Sequence, residues 1–356
     1  PFTLENFHIH ASRPMEERVR IHRNDLNTIM HQILAGDFFM CGHDRQRDFW
    51  MGVLAAANRV NPQNSDFDRT FDRILAAVPS GLSDEPPRRS GTALKGVHPA
   101  VGKTDRVVLW MGGMWDWLDP LTLIRAVGHL RKEHPNLRLV LPAAPSPDPV
   151  VPRMRMLDDA RALARKLGLE GTHVIFIGWI PFDARQNYLL EADLGVCMQR
   201  RHLETRYAMR TRLLDFIWAR LPMVLSEGDF LSEACASAGV ARLVPPGDDL
   251  AAAQAIGEQL GRPSLRADLH ESFDPLLARF SWQNVAKPLL DYCQTPTRAP
   301  DHLAPYDEIV RGAVYLGDMA PAWQLPMRAL QHIRSRGFAG LGHEVRIALR
   351  RRGLIP

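Results

Sequence analysis

Cysteine is scarce in this sequence, and its spacing argues against two classes of protein. The four cysteines lie far apart and form no Cys-x-x-Cys pair; they are Cys41, Cys197, Cys235 and Cys293. Such spacing signals neither a zinc site nor a disulfide scaffold, and it fits the reducing cytosol. We therefore expect a cytoplasmic protein that has neither feature.

Long apolar runs and targeting signals are also missing. No run approaches the eighteen uncharged apolar residues of a membrane-spanning helix. The first ten residues, PFTLENFHIH, have neither the basic start nor the apolar core of a signal peptide. The chain does not begin with methionine, so we expect either a processed chain or a fragment without its upstream part.

Lysine is rare beside abundant arginine, yet the total charge is mild. The net charge is +4 and the isoelectric point is about 9.1. A nucleic-acid-binding protein would concentrate basic residues on one face, and this composition does not indicate such a face. We expect no nucleic-acid partner.

The residues that are present predict a soluble α/β protein. With 356 residues, of which 46% are hydrophobic, the chain can bury the cores of two domains. From residue 106 onward, apolar runs alternate with helical patterns, and strands are expected at 106–111, 137–141, 173–178, 193–198 and 223–225. This alternation is typical of a parallel, doubly wound sheet. Because no G-x-G-x-x-G follows the first of these strands, a dinucleotide-binding dehydrogenase is disfavoured.

The first hundred residues predict a smaller unit. A helix is expected over residues 11–36, a buried strand over 37–41 and a second helix over 44–57. Residues 78–104 are rich in Pro, Gly and Ser, which is typical of an interdomain linker. We therefore predict one domain over residues 1–100, a second over 101–280, and a crossover helix with a basic tail over 281–356.

Residues 202–225, HLETRYAMRTRLLDFIWARLPMVL, combine a predicted helix with a buried strand. The apolar residues recur at helical spacing as far as Leu221, and Pro222 is expected to end the helix. The strand follows at residues 223–225. The stretch is thus one helix-to-strand unit of the predicted sheet.

The start of this helix is the candidate site. Arg210, Thr211 and Arg212 fall where backbone N–H groups are unpaired, and two guanidinium groups beside such a terminus suit a phosphate. Asp215, one turn later, is placed to accept hydrogen bonds from the adjacent hydroxyls of a ribose. The pattern predicts a nucleoside-diphosphate site, and the alternative is an ordinary amphipathic helix with solvated arginines.

The segment RLLDFIWARLPMV at residues 212–224 resembles the donor-binding segment K-L-L-E-Y-x-A-x-G-x-P-V-V of family-4 glycosyltransferases, which have the GT-B fold. It departs from that pattern at Arg220, where the family usually has glycine, and at Asp215, where it has glutamate. The first acid of the family's E-x7-E spacing would fall on Tyr207. The nearest carboxylate is Glu204, and the resemblance implies that Glu204 takes the catalytic role of orienting the donor sugar.

Further donor-binding residues follow from the resemblance. Gly112 and Gly113 come directly after the first strand of the second domain, where they permit close approach to a ligand. Trp179 and Ile180 lie in a loop similar to the family's G-W-x-P loop, which contacts the base. The family usually places an arginine and a lysine after the two glycines, and their absence here implies that Arg210 and Arg212 carry the phosphate charge.

Other segments extend the resemblance over roughly residues 1–295. Residues 37–50, DFFMCGHDRQRDFW, resemble the end of the family's N-terminal domain, so only the last part of that domain is expected. His43 in this segment is predicted to be a hydrogen-bonded structural residue rather than a catalytic one. Trp115 and Trp117 are predicted to pack in the core rather than line the pocket.

The resemblance implies a retaining, metal-independent hexosyltransferase that uses a nucleotide diphosphate sugar and no cofactor. The expected acceptor is a surface polysaccharide or a glycolipid. The basic amphipathic tail at residues 326–356 suits an anionic membrane surface at the inner face of the membrane, or a helix packed on the body. The rival hypothesis is a non-catalytic nucleotide-binding or membrane-associated interaction module, since a partial first domain leaves a chain that binds donor without transferring sugar.

Overall fold

Eight short strands form two parallel sheets in the computed structural model, which describes residues 2–144 and 154–303. The strands are β1 (Phe39–Cys41), β2 (Leu75–Ala77), β3 (Arg106–Trp110), β4 (Leu137–Pro142), β5 (Val174–Ile177), β6 (Leu194–Cys197), β7 (Met223–Ser226) and β8 (Ala241–Val244).

Fifteen α-helices connect and cover these strands within the described residues. They are α1 (Phe2–Ile9), α2 (Met15–Ala35), α3 (Asp44–Ala56), α4 (Pro62–Phe67), α5 (Pro120–Leu130), α6 (Arg155–Lys166), α7 (Arg185–Glu191), α8 (Leu203–Tyr207), α9 (Arg212–Trp218), α10 (Phe230–Ser237), α11 (Asp249–Leu260), α12 (Leu265–Asp268), α13 (Asp274–Arg279), α14 (Trp282–Val285) and α15 (Lys287–Gln294). Short 3-10 helices span Phe182–Ala184, Glu271–Phe273 and Pro300–Leu303.

The larger sheet has the strand order β5-β4-β3-β6-β7-β8, and every neighbouring pair is parallel. The order reverses between β3 and β6, so the sheet is doubly wound and the prediction of this fold class is confirmed. In such sheets ligands bind beyond the carboxyl ends of the strands at the point of reversal. A ligand-binding site is therefore expected at the loops that follow β3 and β6.

The central strand β3 is buried on both faces. Val108 and Trp110 pack with α5, α6 and α11 on one face, whereas Val107 and Leu109 pack with α9 and α13 on the other. All four side chains have no exposed surface. Side chains of a strand alternate between faces, and a strand covered on both sides becomes a continuous apolar run. This is why the run at residues 106–111 was recognisable in the sequence.

The smaller sheet pairs β1 with β2, and the chain returns to it after the second sheet is complete. The ring of Tyr292 in α15 stacks on Phe38, with centroids 4.4 Å apart. Arg59 forms an ion pair with Asp301, and the two side chains are largely buried. These contacts agree with the predicted crossover helix, while the predicted domain limits stay predictions.

The predicted helix over residues 11–36 is present as α2, and a separate helix, α1, precedes the predicted range. The structure has α1 and then α2, which begins at Met15 directly after Pro14. Proline lacks a backbone N–H and disfavours helical conformation in the residue before it. Pro14 therefore accounts for the start of α2 four residues later than predicted.

Helix α9 also ends earlier than Pro222 suggested. Arg220 adopts a left-handed conformation with φ of +48°, its N–H donates to the carbonyl of Ile217, and the N–H of Leu221 donates to that of Phe216. These two bonds form a Schellman motif, in which glycine is favoured at the left-handed position. Leu221 is thus the apolar residue that closes the helix, not part of its last turn.

Two predictions concern membranes, and the described residues bear on one of them. No helix within residues 2–144 and 154–303 has the length and hydropathy needed to span a membrane. The basic tail at residues 326–356 lies outside the described residues.

Candidate functional site

The loops at the carboxyl ends of the larger sheet's strands form what we call its carboxyl rim. Two arginines from residues 202–225 lie at this rim in different surroundings. Arg210 lies in the loop between α8 and α9, and Arg212 is the first residue of α9. Both lie beyond β6, on one side of the point where the strand order reverses.

Arg210 forms a buried, two-bond ion pair with Glu204. Its Nη1 donates to Oε1 at 2.8 Å and its Nη2 donates to Oε2. Only 7% of Arg210 and 3% of Glu204 are exposed. A carboxylate and a guanidinium match each other geometrically in this arrangement, which is the strong form of an ion pair.

The pair continues into a buried polar network from neighbouring loops. Nε of Arg210 donates to Gln199 at 2.6 Å, and Gln199 donates to Asp229 at 2.7 Å. Asp229 in turn accepts the backbone N–H groups of Leu231 and Ser232 at the start of α10, both at 3.0 Å. The sequence analysis did not predict this network, because it joins loops that follow different strands.

The Arg212 side chain lies at the end of β3, and its guanidinium has only part of its hydrogen bonds satisfied. Its Nη2 donates to the carbonyl of Gly113 at 3.0 Å, and its guanidinium lies over the Trp110 ring, 5.2 Å from the centroid. Its Nη1 is shielded from solvent and has no hydrogen-bond partner. Burial lowers the pKa of Arg212. A buried unpaired donor is costly, so the geometry suits an anion that would pair with it.

Gly112, directly after β3, lies beside the Arg212 guanidinium. Gly112 has φ of +88°, which L-residues rarely adopt. A Cβ atom at Gly112 would also lie 3.6 Å from Cζ of Arg212. The predicted proximity of Gly112, Gly113 and Arg212 is therefore present in the structure.

Asp215, one turn into α9, is paired with a residue that the sequence analysis missed. Arg185 of α7 donates to Asp215 at 3.1 Å, and its guanidinium lies 3.6 Å from the Phe182 ring centroid and 4.8 Å from that of Trp218. Burial raises the pKa of Asp215, while Arg185 opposes that shift. The carboxylate is partly exposed, so it retains access to a ligand at the rim.

Part of the sequence matches a known protein family. Residues 105–261 match the family model of glycosyl transferases group 1. No curated protein matches the sequence significantly.

Solved structures extend the likeness to the GT-B fold. A sucrose-phosphate synthase from Thermosynechococcus elongatus is 18% identical with a TM-score of 0.51, and the match covers 83% of this chain and 65% of that one. An α,α-trehalose-phosphate synthase (UDP-forming) from Burkholderia vietnamiensis is 16% identical with a TM-score of 0.55, and the match covers 79% of this chain and 64% of that one. WaaG, a glycosyltransferase involved in lipopolysaccharide biosynthesis, is 16% identical with a TM-score of 0.50, and the match covers 73% of this chain and 63% of that one. The chain thus spans less than two thirds of the length of these three proteins, and the likeness shows the fold alone.

The remaining predicted donor-binding residues lie on the same rim of the larger sheet. Thr211 is exposed and precedes α9 without a side-chain capping bond. Trp179 is 56% exposed after β5, whereas Ile180 packs against the core. The roles predicted for them and for Glu204, Arg210, Arg212 and Asp215 stay predictions.

Helix α1 brings further side chains to the predicted sugar-contacting region. The ring of His8 lies 4.4 Å from that of His202, which is 3.7 Å from Glu204. Trp115 and Trp117 stack on each other, with centroids 5.0 Å apart. Trp117 is buried, in agreement with the prediction that it packs in the core. Among the described residues, no three His, Cys, Asp or Glu side chains are grouped as metal ligands.

Proposed function

We propose that this chain binds a nucleotide diphosphate sugar at the carboxyl rim of the larger sheet and transfers the sugar to an acceptor. The unpaired, buried N–H of Arg212 beside Gly112 and Gly113 is the observation that carries the proposal. An anionic diphosphate would supply the hydrogen-bond acceptor that this guanidinium lacks.

The departing diphosphate is the group that the site must stabilise. Arg212 is positioned before any reaction by its bond to Gly113 and its contact with Trp110, so it would not reorganise when negative charge develops. A fixed guanidinium performs this task without Mg²⁺, in keeping with the proposed metal-independent, retaining reaction. Under this proposal the substrate sugar nucleotide is needed and no separate cofactor is.

Glu204 would orient the donor sugar from within its ion pair. Each of its carboxylate oxygens accepts one hydrogen bond from Arg210, and a carboxylate oxygen has room for a second. Arg210 then acts on the substrate through Glu204, so its proposed task changes from binding phosphate to holding this acid in place. Asp215 would accept hydrogen bonds from the ribose while Arg185 limits the cost of its burial.

The identity of the acceptor follows from the family resemblance alone. We propose a hexosyl transfer to a surface polysaccharide or a glycolipid, at the cytoplasmic face of the membrane. The tail at residues 326–356 would hold the protein near an anionic lipid surface through its basic side chains.

A non-catalytic nucleotide-binding module is the second candidate, and a specific observation favours it. Glu204 and Arg210 neutralise each other, and the arginine and lysine expected after Gly113 are absent. A chain of this kind would bind a nucleotide through Arg212 and Asp215 without transferring sugar.

Calorimetric titration with UDP-, GDP- and ADP-sugars tests the shared part of both candidates. We expect one of the three nucleotides to bind, and Asp215→Ala to weaken its binding by roughly 1–3 kcal/mol, because the carboxylate that would accept the ribose hydrogen bonds is removed. The nucleoside monophosphate should lose as much, since the ribose is common to both ligands.

Asp183→Ala is a matched control, because Asp183 is exposed beside the same region. Failure of all three nucleotides to bind contradicts both candidates. Binding without turnover in the presence of acceptor extracts supports the non-catalytic module.

A further inference from the structure

The predicted linker over residues 78–104 is fastened to α7, the helix that begins with Arg185. Glu191 ends this helix and is buried, and its carboxylate accepts three backbone N–H groups from residues 93–95 at 2.8 to 3.0 Å. Asn187, one turn earlier, accepts two further N–H groups of the linker. The linker and α7 therefore form one connected unit.

Trp218, the last residue of α9, makes a second contact with the linker. Its indole Nε1 donates a hydrogen bond to the carbonyl of Glu85 at 2.7 Å. The centroid of the same ring lies 4.8 Å from the Arg185 guanidinium. The family's K-L-L-E-Y-x-A-x-G-x-P-V-V segment has alanine at this position, so the ring and both of its contacts are features of this chain. Trp218 thus joins the linker to the side chain that pairs with Asp215.

Arg185 is confined by two aromatic rings. The Phe182 ring centroid lies 3.6 Å from its guanidinium and the Trp218 centroid 4.8 Å, and aromatic faces attract a cation. Nη1 of Arg185 donates to the carbonyl of Phe182 at 2.8 Å, while Nε donates to Asp215 at 3.1 Å. A free arginine side chain loses conformational entropy when it is fixed in one geometry. The rings offset part of that loss, because they favour the conformation in which Nε points to Asp215.

We propose that Trp218 is a positioning residue of the donor site, which holds Arg185 in the geometry that pairs with Asp215. Its indole N–H anchors this cluster to the linker at Glu85. The proposal rests on the ribose-binding role proposed for Asp215. Arg185 occupies one lone pair of the Asp215 carboxylate, so others remain for the adjacent hydroxyls of a ribose. Trp218 acts on the ligand through these two side chains and without touching it.

Calorimetry with matched ligands separates this positioning role from a general effect on the fold. UDP, GDP and ADP are titrated beside their nucleosides and beside inorganic diphosphate. Trp218→Ala should weaken binding of the nucleoside diphosphate and of its nucleoside by the same factor, about threefold to tenfold, because one cation–π contact is lost. Inorganic diphosphate has no ribose and should keep its affinity. Leu250→Ala, at an exposed position on α11, should leave all three affinities unchanged.

A double-mutant cycle tests whether Trp218 acts through Arg185. Trp218→Phe retains a ring over the guanidinium and loses the bond to Glu85, so its nucleoside affinity should fall between those of wild type and Trp218→Ala. In the Arg185→Gln background, Trp218→Ala should cause no further loss, since the effects of residues that act in one network are not additive. A direct contact between Trp218 and the base would instead give the full loss in both backgrounds.

Hydrogen exchange at Arg185 Nε tests the same contact without any nucleotide. Exchange with solvent is measured by NMR on the whole chain with ¹⁵N-labelled arginine. Because this N–H donates to Asp215, we expect it to exchange slowly in wild type, several times faster in Trp218→Ala, and at an intermediate rate in Trp218→Phe. The Nε–H of Arg210, which donates to Gln199, is the control and should not change.

Three results would overturn the proposal. One is equal exchange at Arg185 Nε in wild type and Trp218→Ala. The second is an equal loss of affinity for inorganic diphosphate and for the nucleoside. The third is an undiminished effect of Trp218→Ala in the Arg185→Gln background. Failure of every nucleotide to bind would contradict the proposed function instead, and the exchange measurement would still decide whether Trp218 holds Arg185.

Discussion

Arg210 and Arg212 stand two positions apart in the sequence and lie in opposite electrostatic situations. Arg210 directs all its nitrogens to Glu204 and Gln199, deep beneath the rim. Arg212 makes one hydrogen bond to a carbonyl and keeps a buried N–H unpaired. Arg210 thus has a full set of protein hydrogen-bond partners, whereas Arg212 has no anionic partner.

The difference shows how a single short segment can hold the fold and offer a binding group at once. Arg210 precedes α9 and turns toward loops from β6 and β7, where acidic and amide groups surround it. Arg212 begins α9 and turns toward the end of β3, where it lies beside Gly112 and Gly113. We therefore expect loss of Arg210 to affect stability first, and loss of Arg212 to affect binding first.

The largest effect is expected for Arg210→Ala. Removing the guanidinium leaves Glu204 charged and buried without a partner, which typically costs about 3–5 kcal/mol of unfolding free energy. Urea unfolding in the absence of ligand measures this loss. Arg200→Ala, at an exposed neighbour, should stay within about 0.5 kcal/mol.

A double substitution sharpens the same test. Replacing Glu204 and Arg210 together by methionine removes both charges and restores apolar contacts, so it should cost less than Arg210→Ala alone. A loss below about 1 kcal/mol for Arg210→Ala would mean that the buried pair does not hold this part of the fold, and Arg210 would again be free to bind phosphate.

Arg212→Ala should give the next largest effect, on ligand affinity rather than on stability. Charge-assisted hydrogen bonds contribute about 1.5–3 kcal/mol each, so calorimetry should show a loss of that size for the nucleoside diphosphate. The nucleoside, which lacks the charge, should lose less. Arg212→Lys should recover part of the affinity, because a point charge remains while the planar guanidinium is lost.

The contrary result for Arg212 is as informative. Equal losses for diphosphate and nucleoside, together with a large fall in melting temperature without ligand, would make Arg212 a residue of the fold. The distinction between the two arginines would then disappear.

The sequence predicted the sheet well because its signals are local. Buried strands such as β3 appear as continuous apolar runs, and the helices between them appear as apolar stripes. The turn of chain after Phe216 was missed, since Leu221 continues the apolar spacing while Arg220 occupies the left-handed position. The family's glycine at that position was the available signal for an earlier helix end.

Partners within the site were not predictable from spacing. Glu204 and Arg210 were assigned separate ligand roles, yet a loop between two short helices brings them into contact. Arg185 reaches Asp215 from thirty residues away, on a different helix. Such pairings depend on how loops from neighbouring strands converge, and no local pattern records that convergence.

Asp215 can be compared with the two arginines, because it is a carboxylate whose one ion-pair partner, Arg185, only partly offsets its burial. Burial raises its pKa above the ordinary aspartate value, and Arg185 opposes that shift. Arg185→Gln should therefore raise the pKa of Asp215 further, which a carboxyl ¹³C titration by NMR measures.

The sign of the effect on stability follows from proton binding. Between the unfolded and the raised folded pKa of Asp215, the folded chain binds more protons than the unfolded chain. Unfolding free energy therefore falls as pH rises through that interval, by about 1.4 kcal/mol for each unit between the two values. Arg185→Gln should widen the interval between the two pKa values and so enlarge the total fall in unfolding free energy. An unchanged Asp215 pKa in Arg185→Gln would show that the ion pair does not form in solution.

Thr211 lies between the two arginines and should give the smallest effect. It is exposed and makes no capping bond to α9, so Thr211→Ala should change unfolding free energy by no more than about 0.5 kcal/mol. If its hydroxyl binds the diphosphate as predicted, affinity should fall by about 0.5–1.5 kcal/mol, the usual value for one neutral hydrogen bond. Thr211→Ser keeps the hydroxyl and should retain that affinity, because only a methyl group is lost. Equal diphosphate affinity in wild type and Thr211→Ala would remove Thr211 from the site and leave Arg212 as its remaining predicted side-chain contact with the phosphates.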